Sequence, residues 1–134
     1  KMFGIFKHRV YKPELPLFRG FDDEFAIPHS RHTEVRREDI ERCPELDILV
    51  ESEESGLSVL MPRGGNEIFL TGHSEYSPLT LDTEYKRDLG KGLPIEKPKH
   101  YYRNDDPSQP PLVTWRGHAN LLFNNWLNYY VCKQ

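Results

Sequence analysis

The chain has 134 residues, 37% hydrophobic and 29% charged, with 18 Lys and Arg against 21 Asp and Glu for a net charge of −3. That length supports one domain with one core. The charge balance leaves no basic surplus to neutralise a phosphate backbone, which argues against nucleic acid as a partner, and every apolar run falls far short of the roughly 20 residues that span a bilayer.

Short β segments come first along the chain. Phe3 to Val10 alternates and is rich in strand formers, and Pro13 and Pro16 break it. Leu17 to Phe21 is a further apolar piece. A strand over Phe25–Ile27 is expected to end at Pro28, opening a polar turn through His29, Ser30, Arg31, His32 and Thr33. Residues 36–42 suit one or two helical turns before Pro44. Three strands then follow in close succession, Leu46–Glu51, Leu57–Met61 and Glu67–Thr71, joined by Ser- and Gly-containing turns. Leu81, Tyr85 and Leu89 mark an amphipathic helix over 79–89. Residues 90–111, dense in Pro, Gly, Asn and charge, read as a long surface loop. The last element is a helix with Thr114 as its N-cap and an apolar stripe of Trp115, Ala119, Leu122, Phe123, Trp126, Leu127 and Tyr130.

The segment Phe69-Leu-Thr-Gly-His-Ser-Glu-Tyr76 carries the strongest chemical signal. A strand delivers His73 into a loop behind Gly72, and Glu75 follows two residues later. A carboxylate beside an imidazole fixes its tautomer and stabilises its protonated form, which is the base-and-orienter half of a catalytic triad. The same His-x-Glu begins a zinc deaminase signature, but that needs a downstream Pro-Cys-x-x-Cys, which the chain lacks. His29 and His32, with His8 or His73, offer a metal reading in which the sequence places no third ligand. Ser30 and Arg31 suit a substrate carboxylate, since a guanidinium binds one bidentately, although the residues by themselves favour an ordinary polar turn. Cys43 and Cys132 form no Cys-x-x-Cys pair and read as two thiols in a reducing compartment, which favours the cytoplasm.

Several long motifs resemble one family. They are Arg19-Gly-Phe-Asp-Asp23, Ala26-Ile-Pro-His-Ser-Arg-His-Thr-Glu-Val35, Phe69 to Tyr76, Asn104-Asp-Asp-Pro107, and Thr114-Trp-Arg-Gly-His-Ala-Asn-Leu-Leu-Phe-Asn-Asn-Trp-Leu-Asn-Tyr-Tyr130. Together, and in this order, they resemble the homoserine O-acyltransferases, the O-succinyl- and O-acetyltransferases of methionine biosynthesis. The resemblance implies an α/β fold: the C-terminal half of a flavodoxin-like, class I glutamine amidotransferase-like sandwich ending in a long helix, with residues 1–134 forming part of one catalytic domain. It implies a ping-pong reaction in which a cysteine thiolate takes an acyl group from acyl-CoA, the co-substrate, and passes it to the homoserine hydroxyl. No resident cofactor or metal is implied.

On this sequence the resemblance puts the family's catalytic His and Glu at His73 and Glu75. Its substrate-binding residues fall on Lys1, Ser30, Arg31 and Arg87. Succinyl is the commoner family label. The family loop usually reads Gly-His-Pro-Glu-Tyr-Asp, whereas Ser74 and Ser77 stand here in place of Pro and Asp. The family's nucleophile lies in a Cys-Trp-Gly-Ala-Gln type elbow that precedes the segment beginning at Lys1. The expected partners are therefore homoserine, acyl-CoA, a missing N-terminal half and a second copy in a homodimer. The contrasting expectation is a non-catalytic homologue acting as a binding or self-associating module.

Overall fold

The computed structural model describes residues 1–132. Its framework is a five-stranded sheet in the order β2-β1-β3-β4-β5, formed by β1 (Met2–Val10), β2 (Glu24–Arg31), β3 (Leu46–Ser52), β4 (Gly56–Pro62) and β5 (Phe69–Leu70). Three helices accompany it: α1 (Arg37–Glu41), α2 (Thr80–Gly90) and α3 (Arg116–Trp126), the last continuing into a π-helical turn at Leu127–Val131. The α/β class holds. Every paired strand is antiparallel, whereas a flavodoxin-like sandwich is built on a parallel sheet. For β3 and β4 the turn explains this: only three residues separate them, and a parallel crossover needs a dozen or more.

β1 is buried on both faces over Phe3–Phe6, and its two faces meet different partners. Phe3 and Ile5 join Leu81 of α2 and Tyr101, Tyr102 and Trp115 in one buried cluster. Val10 lies in the other, with Phe25 and Ile27 of β2, strands β3 and β4, and Leu122 of α3. The register pairs Phe6 with Ile27, His8 with Phe25 and Gly4 with His29, so these side chains share that second face.

Four sequence expectations change here. Pro28 does not end its strand: β2 runs on to Arg31, because it lies at the sheet's edge and Pro28 pairs with Ile5, whose own amide points away to Lys99. A proline costs an edge strand no ladder hydrogen bond at such a position. The 90–111 segment is no mere surface loop, since Tyr101 and Tyr102 are buried in the core. Lys99 within it bonds to Phe3 and Ile5 alongside β1, where Gly4 permits the approach: a Cβ there would sit 2.3 Å from the Lys99 carbonyl oxygen. The α2 stripe fails at Leu89, which is exposed, while neighbouring Asp88 is buried. Thr114 does not cap α3, whose N-cap is Trp115 without a side-chain cap.

The sheet curls on itself. β5 lies at one end of the strand order, yet the loop after it reaches the strand at the other end: Thr71 donates to the Ser58 carbonyl, and two residues on the His73 amide donates to the Pro28 carbonyl at 2.8 Å. This closure carries the 72–76 loop around the β2 edge.

Candidate active site

Gly72 starts that crossing on the inner face. A Cβ at this position would lie 2.4 Å from Ile27 Cγ2 and 3.0 Å from the His29 ring, so only glycine lets the backbone pass so closely. His73 follows at the strand edge, with its Nδ1 2.9 Å from Glu75 Oε1. The Tyr76 ring stacks on the imidazole at a centroid distance of 4.5 Å and 2° between planes. Tyr76 is itself anchored, because Trp115 Nε1 donates to its carbonyl at 2.9 Å. With Glu75 accepting from Nδ1, the Nε2 of His73 keeps its lone pair, which is the arrangement of a general base. Both side chains remain accessible, His73 at 37% and Glu75 at 69% exposure. Ser74 and Ser77 do not prevent this geometry. Ser77 instead bonds Thr80 at the start of α2.

A second cluster forms on the outer face. Glu84 of α2 accepts hydrogen bonds from Lys1 Nζ at 2.8 Å and from Ser30 Oγ at 2.7 Å. Burial pushes the Glu84 carboxyl up, but the Lys1 and Ser30 hydrogen bonds and the charges of Lys1 and Arg87 outweigh it and hold the group below the usual carboxylate range. Arg87, one turn further along α2, is half-exposed and paired with Asp88 at 3.0 Å. Burial raises the Tyr76 hydroxyl pKa, and the fields of Glu84 and Glu75 add to it. Tyr76 thus lies between the two clusters.

The sequence-derived residues fall into three groups. His73 and Glu75 meet as expected, and Lys1, Ser30 and Arg87 gather around Glu84. Arg31 is separated from Ser30, because adjacent strand residues point to opposite faces. Its guanidinium bonds the carbonyls of Thr33 and Ser55. Glu84 is the residue that sequence reasoning missed. Its only local signal is a carboxylate three positions before Arg87 on a helix.

Cys43 and Cys132 are free and exposed, one just after α1 and the other after the final helical turn. Neither stands on a strand-to-helix elbow. Among the described residues, no three His, Cys, Asp or Glu side chains come together to hold a metal, and no helix is long and apolar enough to cross a membrane. His8 and His29 do meet, but their facing nitrogens bond each other and Ser58.

A carboxylate-oriented histidine at a strand edge, beside a cluster of charged side chains, is an arrangement suited to acid–base chemistry. The model of the homoserine O-succinyltransferase family matches residues 1–134, and the chain belongs to that family. It is 69% identical over all its residues to a homoserine O-acetyltransferase of Parabacteroides distasonis and to one of Bacteroides fragilis, covering 43% and 44% of those proteins. A homoserine O-acetyltransferase of Acetivibrio thermocellus is 63% identical, with 44% of it covered. The chain thus spans less than half the length of the curated relatives it matches.

Proposed function

We propose that this chain supplies the proton-handling part of a homoserine O-acyltransferase that uses acyl-CoA and no resident cofactor. The observation that carries the proposal is the His73–Glu75 hydrogen bond at the β2 edge, with Nε2 left open. In the first half-reaction His73 Nε2 takes the proton of a cysteine thiol supplied by the remainder of the protein. The thiolate forms a bond to the acyl carbon, the carbon–sulfur bond to CoA breaks, and CoA leaves with the proton. In the second, Nε2 takes the homoserine hydroxyl proton, the oxygen attacks the acyl-enzyme, and the cysteine sulfur departs and regains a proton. Glu75 orients the ring and stabilises its cationic form in both steps.

Homoserine is a zwitterion, and the Lys1–Ser30–Glu84–Arg87 cluster offers both complementary charges. Arg87 suits the carboxylate, and Glu84 the ammonium group. Arg31 would contact substrate only by leaving the Thr33 and Ser55 carbonyls, so its bonds favour a role in holding the end of β2. In the complete protein this antiparallel sheet would form the C-terminal part of the amidotransferase-like sandwich. The exposed free thiols support a reducing compartment, the cytoplasm.

The acyl group is proposed to be acetyl, on the name shared by the relatives at 60–69% identity. Succinyl is the second reading, on the name of the family. Assaying CoA thiol release by a full-length member carrying this segment, with acetyl-CoA or succinyl-CoA and homoserine, decides between them. In that protein His73→Ala should lower kcat by roughly 10²- to 10⁴-fold. Undiminished turnover would overturn the assignment of the base. The 134-residue chain alone should release no CoA thiol.

A further inference from the structure

Behind the His73 loop lies a buried chain of polar side chains that acyl transfer does not use. His8 and His29 are 1% and 0% exposed, and Ser58 of β4 is equally buried. The two rings stack with centroids 5.1 Å apart and 10° between planes. Their surroundings assign both tautomers. The Phe6 carbonyl lies 2.8 Å from His8 Nδ1, which must therefore carry the proton. His8 Nε2 then accepts, taking the Ser58 hydroxyl at 2.7 Å. Arg31 Nε donates to His29 Nδ1 at 3.4 Å, so the His29 proton sits on Nε2, 3.1 Å from both Ser58 Oγ and His8 Nε2. The chain runs one way: Arg31 to His29, His29 to Ser58, Ser58 to His8, His8 to the β1 backbone. Flipping either ring would leave a buried donor or acceptor unpaired.

The His73 loop rests on this assembly. Gly72 packs against His29 so closely that a Cβ would lie 3.0 Å from both Cε1 and Nε2 of the ring. The next amide, that of His73, donates to the carbonyl of Pro28, the residue before His29. The loop is therefore registered to β2 by one backbone hydrogen bond and by the contact of Gly72 with Ile27 and the His29 ring, and the ring is held by hydrogen bonds reaching β1 and β4.

Resting on the acyl-transfer reading above, we propose that His29 is a positioning residue for His73. Its tautomer-locked ring is the floor that sets where the Gly72–His73 backbone crosses the β2 edge, and hence where the base meets its proton donor. A misplacement of about 1 Å in such a group costs on the order of 10²-fold in rate.

The test uses a full-length family member carrying this segment. His29→Ala removes the floor, and Gly72→Ala lifts the loop from β2, its new Cβ meeting Ile27 and the His29 ring. Each is expected to lower kcat roughly 10- to 100-fold while KM for homoserine stays within about twofold, the signature of lost transition-state alignment. Each should also move the ¹⁵N resonance of His73 Nδ1 away from its Glu75-bonded value, which needs no turnover to read. His29→Gln, which returns an N–H donor near the Nε2 position, should recover most of kcat. Wild-type kcat with an unmoved His73 resonance in folded His29→Ala overturns the inference. So does equal damage to kcat and KM that His29→Gln fails to repair. Should His29→Ala not fold, His29→Asn, which keeps a polar side chain but a shorter floor, is read by the same criteria. A wild-type protein that does not acylate homoserine overturns the proposed function, and the His73 resonance then still decides the positioning role.

Discussion

His29 and His73 lie on either side of one glycine yet meet different surroundings, the first fully buried and the second over one-third exposed. Burial pushes His29 down to about 3, with the neighbouring His8, Arg31 and His73 adding to the effect. Burial likewise pushes His8 down to about 4, opposed by its bond to the Phe6 carbonyl and aided by Arg31. The ordinary histidine value is 6.5. Between these values the unfolded chain binds more protons than the folded one, so stability is fully present above 6.5 and is lost as pH falls toward 4 and then 3. The loss approaches about 1.4 kcal/mol per pH unit for each histidine. Chemical denaturation at pH 7, 6 and 5 should show a steady fall in unfolding free energy, and a flat profile would contradict the neutral pair. His73 and Glu75 were legible as a pair because they lie two residues apart in one loop. Glu84 was not, because the partners that mark it, Ser30 and Lys1, lie 54 and 83 positions away.

At the scale of elements, α2 shows how tertiary contacts override a repeat. Leu81, Tyr85 and Leu89 fit one helical stripe, yet Leu81 is 1% exposed and Leu89 47%. The segment over 95–115 packs on the N-terminal part of the helix, where Leu81 meets Tyr101, Tyr102 and Trp115. At the C-terminal end the chain turns away through Lys91 and Gly92, whose amides bond back to the helix carbonyls, and Leu89 is left in solvent. Leu81→Ala should therefore cost about 2–5 kcal/mol, whereas Leu89→Ala should stay within about 0.5 kcal/mol. Urea midpoints of the two variants separate the outcomes, and equal effects would refute this burial pattern. Strand alternation explains the other surprise at this scale. Ser30 and Arg31 read as one polar motif, but the pleat sends Ser30 to Glu84 and Arg31 to the interior beside His29.

Over the whole molecule, one surface stands out. A groove of about 800 Å³ runs beside the His73 loop between β5 and α3, lined by Leu70, Tyr76, Leu122, Phe123 and Trp126. Phe69, Leu70 and Phe123 are 45–59% exposed, and β5 pairs on one side only. Apolar surface next to an open strand edge favours association. The isolated chain should therefore form dimers or larger species at micromolar concentration, and Phe123→Ser with Leu70→Glu should shift it toward monomer. Sedimentation velocity across a concentration series measures this. A wild-type chain that stays monomeric throughout would contradict it.

The order of the strands and helices, the turns between β3, β4 and β5, and the His73–Glu75 pair were determined within the sequence itself, since each depends on neighbours a few residues apart. Family membership was legible for the same reason, through long motifs that fold elsewhere in the chain but are read locally. The tertiary structure alone decided that β2 continues through Pro28, that Tyr101 and Tyr102 belong to the core, and that His8, His29 and Ser58 form one buried hydrogen-bonded chain under the His73 loop. The first follows from the edge position of β2, the second from the packing of the 95–115 segment on β1 and α2, and the third from closure of the sheet. Once β4 curls toward β1 and β2, residues 29 and 50 positions apart come within hydrogen-bonding distance, and no local pattern carries that information.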